Sequence, residues 1–88
     1  MAKRIVLSIK DLFRSDIVSS VAEAQEVILA MGGYDRVTLD FSGVTSVDKD
    51  FARELFSSWR KRNPHVVLNI VGASSSVAYE IENAFKTK

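Results

Sequence analysis

Ile5-Val6-Leu7-Ser8-Ile9 is a mostly apolar, β-branched run of strand length, and Val37 to Phe41 and Val66 to Val71 are two more. Between the first two the period changes. Ile17, Val21, Ala24 and Ile28 recur at spacings of four, three and four, with Val18 and Met31 widening the stripe. That spacing predicts a helix with one buried face. Its start has two readings: Ser15 or Asp16 as the cap, or the capping box Ser20-Val21-Ala22-Glu23. Gly32-Gly33 ends it by allowing positive φ without steric cost. A second helix is expected from about Asp48, a suitable N-cap, with Asp50 in the first turn where the helix dipole favours an anion. Phe51, Ala52, Leu55, Phe56 and Trp59 make its apolar face. Asn63-Pro64 stops it, because the residue before proline is pushed out of the helical region. After Gly72, one of Ser74, Ser75 or Ser76 starts a last helix, whose face is Val77, Ile81, Ala84 and Phe85.

The resulting order, βαβαβα, predicts an α/β fold with a small parallel sheet and right-handed crossovers. Along the strands Ile5, Leu7, Ile9, Val37, Leu39, Phe41, Val66, Leu68 and Ile70 alternate to one side. The opposite side carries Val6, Ser8, Thr38, Asp40, Val67, Asn69 and Val71. The apolar side calls for helices. The mixed side is expected to be thinly covered or to meet a partner, a second copy included, because parallel sheets usually have both faces covered.

With 88 residues the chain is read as a single domain, 1–88. The formal charge of +1 argues against a protein built to neutralise a polyanion. The absence of cysteine excludes disulfides, thiolate metal sites and a cysteine nucleophile. No signal-peptide pattern and no apolar run of the roughly 20 residues that span a bilayer is present, so a cytoplasmic protein is expected.

The candidate chemistry lies at the strand ends. Asp11, Asp40, Asp48 and Asp50 sit at or just after predicted strand ends, the edge where ligands bind in open α/β sheets. A Mg²⁺-dependent phosphoryl-transfer or phosphoacceptor site using Asp11 or Asp40 is therefore one reading. Turn and cap roles account for these acids more simply, and no phosphate-contacting lysine stands out after a strand. No glycine-rich phosphate loop is present, so no cofactor is expected. His65 is the only histidine, which excludes paired-histidine metal ligation. Trp59-Arg60-Lys61-Arg62 raises nucleic acid as a partner, but Trp59 falls on the buried face and basic residues suit a helix C-terminus. On a regular helical wheel Lys49, Arg53 and Arg60 share a narrow outward arc beside Asp50, Glu54 and Lys61.

Asp40-Phe41-Ser42-Gly43-Val44-Thr45-Ser46-Val47-Asp48 resembles the strand–turn segment of STAS domains, the anti-sigma-factor-antagonist superfamily. Phe51-Ala52-Arg53-Glu54-Leu55-Phe56 more closely resembles the helix start of a STAS-like family of unknown function. The resemblance extends from about Phe13 to Phe85 and implies a non-enzymatic protein-binding module. Such domains dock on a histidine-kinase-like ATPase, and phosphorylation of a serine at the start of the second helix blocks docking. Here Asp48 matches the aspartate of that loop, Lys49 takes the place of the phosphoacceptor, Asp50 follows, and Phe51 stands where the antagonists have glycine. Lysine cannot take the phosphate and reverses the charge a phosphoserine would bring. The expectation is a docking surface without the serine switch, made by Thr45, Ser46, Lys49, Asp50, Arg53 and Glu54.

Overall fold

The computed structural model describes residues 3–15 and 17–86. Strand β1 (Arg4–Ser8) leads into a short helix α1 (Ile9–Phe13), then a two-residue strand β2 (Ile17–Val18) and helix α2 (Val21–Ala30). Strand β3 (Arg36–Asp40) and a second two-residue strand β4 (Ser46–Val47) follow. The next helix, α3, runs without a break as α-helical Lys49–Arg53, π-helical Glu54–Trp59 and α-helical Arg60–Arg62. Strand β5 (Val67–Val71) and helix α4 (Ser75–Lys86) complete the order.

The main sheet is three parallel strands in the order β1-β3-β5. The strands are flush. Arg4 pairs with Arg36 and Arg36 with Val67 at one end; Ser8 pairs with Asp40 and Asp40 with Val71 at the other. The helix-bearing α/β sheet predicted from the alternation is thus present, and the predicted apolar side is the covered one. Val37 and Leu39 are fully buried, and Ile5, Leu7, Leu68 and Ile70 pack against the core. Phe41, Phe51 and Phe56 are its largest fully buried side chains, and Phe56 meets Phe41 and Phe85 at ring-centroid distances of 6.4 and 5.4 Å.

Several boundaries differ from expectation, each for a local reason. Ile9, read as the end of β1, is the first residue of α1, because the Ser8 side chain accepts the Asp11 amide and caps a helix there. Of the two readings for the start of α2, the capping box prevails. Ser20 Oγ accepts the Glu23 amide at 3.1 Å, and Glu23 Oε1 accepts the Ser20 amide at 3.2 Å. Of the alternative caps, Asp16 lies outside the described residues, and Ser15 instead binds Ile17 through both its hydroxyl and the Ile17 amide. Ile17 and Val18, read as part of the helical stripe, leave it to pair with Ser46 and Val47 as a second small parallel ladder. Val18 is buried by this and Ile17 exposed, the alternation of a strand.

The π segment has a packing reason. A π turn holds an extra residue compared with an α turn, and Leu55, Phe56, Ser57 and Trp59 are all buried within this one. Asn63 closes the helix, its side-chain amide donating to the Trp59 carbonyl at 3.1 Å before Pro64.

Candidate interaction site

The junction that leads from β3 into α3 is fixed by its own side chains. Asp40 Oδ1 accepts the Ser42 amide at 2.9 Å, closing a turn that Gly43 completes at φ 82°. The Ser42 hydroxyl and then its amide hold the Asp40 carboxyl below its ordinary value of 3.8. The Val44 amide returns to the Phe41 carbonyl at 2.9 Å, so Val44 turns inward and is buried. Val47 is buried beside Val18, which leaves Thr45 and Ser46 exposed on the same short segment.

Asp48 then starts α3 as its sequence promised. Its amide donates to the Val18 carbonyl at 2.8 Å, and its Oδ2 accepts the Asp50 amide at 3.1 Å. One carboxylate thus caps the helix while its backbone ties the helix to β2. Phe51 and Ala52 point into the core, so Lys49, Asp50 and Arg53 are left outside.

Lys49 and Arg53, one helical turn apart, line a groove of about 260 Å³ between α3 and α4. Glu80, Asn83 and Ala84 of α4 form its other wall. The structure therefore brings two of the expected contact residues together in one concave site. It leaves the others outside that groove: Thr45 and Ser46 are exposed in the preceding turn, Asp50 is exposed on the first turn, and Glu54 is half-buried. Glu80 and Asn83 were not singled out from the sequence. They lie some thirty residues downstream, and only the packing of α4 on α3 makes them neighbours.

Arg60 does not continue the outward arc. It is half-buried, and its Nη1 donates to the Val66 carbonyl and to the Asn63 carbonyl, tying the end of α3 to the entry of β5. The helical wheel assumed a regular 3.6-residue turn, and the π segment between Arg53 and Arg60 shifts the angular progression. Lys61 and Arg62 are exposed, and Trp59 is buried as expected.

At the carboxyl edge of the sheet, Asp11 is an exposed residue of the α1 first turn and Asp40 is engaged by Ser42. Among the described residues no three histidine, aspartate or glutamate side chains converge as a metal site would need. Lys10 does reach this edge: a Cβ placed on Gly43 would lie 2.7 Å from Lys10 Cδ and 3.2 Å from Lys10 Nζ. The helical turn of α1 after Ser8 lays Lys10 over Gly43. Gly72 is equally tight, since a Cβ there would meet Asp40 Oδ1 at 2.7 Å and the Ser42 amide nitrogen at 2.8 Å. No helix among the described residues is long and apolar enough to cross a membrane.

No curated protein and no solved structure matches the chain. The family described as STAS-like domain of unknown function (DUF4325) matches residues 10–78. The matched span runs from the turn after β1 into the first turn of α4, so it takes in the β3–α3 junction, Lys49 and Arg53 and stops short of Glu80 and Asn83. With well over half of its length matched, the chain belongs to this STAS-like family.

Proposed function

We propose that this domain is a non-enzymatic regulatory module of the cytoplasm that docks on a protein partner through the start of α3. The observation that carries the reading is the groove that Lys49 and Arg53 of α3 line together with Glu80 and Asn83 of α4. Two cations on a rigid helix, next to an acid and an amide, suit a partner surface carrying carboxylates and a complementary donor. Thr45, Ser46, Asp50 and Glu54 form the surroundings of that contact. The partner class that the STAS resemblance offers is a histidine-kinase-like ATPase.

At the position where the antagonists carry their phosphorylated serine there is no hydroxyl to take phosphate; Ser42, Ser46 and Ser57 remain the nearby hydroxyls. Lys49 occupies that place, and a positive side chain there favours an acidic counterpart in every state of the domain. Docking through α3 is thus expected to be constitutive with respect to this position.

The test is affinity capture from the source cell's lysate with the parent chain and with Lys49→Glu/Arg53→Glu. Both residues are exposed, so the variant should fold. A histidine-kinase-like ATPase retained by the parent and lost by the variant supports the reading. Retention by both moves the contact away from α3, and capture of nothing by either removes the docking role.

A further inference from the structure

The second feature lies on the far side of the sheet from the α3–α4 groove and does not depend on it. The flush register puts nine side chains of one face into a grid of three rows. The first row is Arg4, Arg36 and Val67; the second is Val6, Thr38 and Asn69; the third is Ser8, Asp40 and Val71. Val6 is 68% exposed, Val67 43% and Val71 45%. Arg4, Arg36 and Asn69 are exposed as well. Apolar residues this open are unusual on a parallel sheet, whose faces are normally both covered. The first row also sets two arginines directly opposite each other on neighbouring strands, where like charges repel.

We propose that this face docks on the same face of a second copy of the chain, with the strands of the two copies antiparallel. The pattern of charge selects that arrangement. A two-fold axis running across the strands through the middle row places Arg36 of one copy over Asp40 of the other, and Arg4 over Ser8. The same operation puts Val67 over Val71, and Val6, Thr38 and Asn69 each over their own counterparts. Each copy then sets the Asp40 carboxylate against the other's Arg36, and the valines cover each other. An axis along the strands fails, because it sets Arg36 over Arg36 and Asp40 over Asp40. An interface between identical copies must be self-complementary in this sense, and stacked sheets aligned within about 30° keep the middle strands in register.

The face is small. Three strands of five residues span about 15 by 16 Å, less than the roughly 800 Å² per partner of a standard interface. The association is therefore a weak one that depends on concentration.

Sedimentation equilibrium on the parent chain, from about 1 mM downwards, tests it. The parent is expected to pass from dimer to monomer on dilution. Val6→Asp and Val6→Lys each set like charges across the axis, and each should associate at least about tenfold more weakly than the parent. Mixed in equal amounts, the two should recover association, because opposite charges then meet at that one position. Val6 lies on an edge strand and is mostly exposed, so both variants should keep the parent's circular dichroism. Arg36→Asp, which sets an acid over Asp40 of the second copy, gives an independent reading and should also weaken association. A parent monomeric at every concentration overturns the proposal. So does a dimer unaffected by these variants, or an equimolar Asp/Lys mixture that stays monomeric.

Discussion

On β1, Leu7 packs against the core while its neighbour Val6 is 68% exposed. On β3, Val37 and Leu39 are fully buried, whereas Arg36 is open and Thr38 and Asp40 are half-open. The two faces of one sheet thus differ as the two faces of an antiparallel sheet often do, although every strand pair here is parallel. The central strand shows the cause. Arg36-Val37-Thr38-Leu39-Asp40 alternates strictly, and a strand covered on both sides would read as a continuous apolar run. One-sided cover is therefore written into the chain. The covered face determines stability; the open face and the charged start of α3 are where contacts with other molecules are available.

Substitutions can break that contrast, and the largest effect belongs to the covered side. Phe51→Ala and Leu55→Ala, both at fully buried positions, should each lower unfolding free energy by about 2–5 kcal/mol in denaturant titrations. Val6→Ala on the open face should cost less than about 0.5 kcal/mol. Comparable losses at Val6 and Phe51 would contradict the one-sided assignment.

Next comes the edge where the two faces meet. Gly72 has φ 71°, and a Cβ there would press on Asp40 and on the Ser42 backbone. Gly72→Ala should therefore cost about 2 kcal/mol, since left-handed strain and the clash act together. A thermal melt equal to the parent's would show that this turn can relax.

Caps come third. Ser20→Ala removes half of the capping box, and Asp48→Ala removes the acceptor for the Asp50 amide. Each should cost about 1 kcal/mol by chemical denaturation. A loss at Asp48 well above that at Ser20 would mean that its side chain also holds α3 to β2.

The smallest effect concerns acid. Ser42 keeps the native Asp40 carboxyl below 3.8, so the ionised form is favoured by folding. Its contribution is present above the unfolded value and is lost as pH falls through the lowered native one. In Ser42→Ala the carboxyl-carbon titration of Asp40 should move up toward the ordinary value, because the hydroxyl is the larger of the two causes. An unchanged midpoint would assign the shift to the turn amide instead.

Much of this arrangement was legible in the residues. Long-range alternation marked the three main strands and which side they bury, and short-range chemistry marked Ser20 with Glu23 and Asp48 as helix starts. What escaped was either too short or too distant. The ladder of Ile17-Val18 with Ser46-Val47 is two residues deep, and its apolar members happen to fall in phase with the following helix. Helix α1 is a single turn. The π segment leaves no mark on a wheel that assumes a regular turn, which is why Arg60 was placed with Lys49 and Arg53 when it braces β5 instead. Half of the groove comes from α4, and no local pattern near Lys49 could indicate Glu80 or Asn83.

The most direct test of the docking account is a calorimetric titration of a histidine-kinase-like ATPase from the same cell. It would be titrated with the parent chain and with Lys49→Glu/Arg53→Glu. Docking through the start of α3 predicts measurable binding by the parent and at least a tenfold loss in the variant, about 1.4 kcal/mol or more. Equal affinity for the two, with both folded, would contradict the claim that the start of α3 is the contact surface.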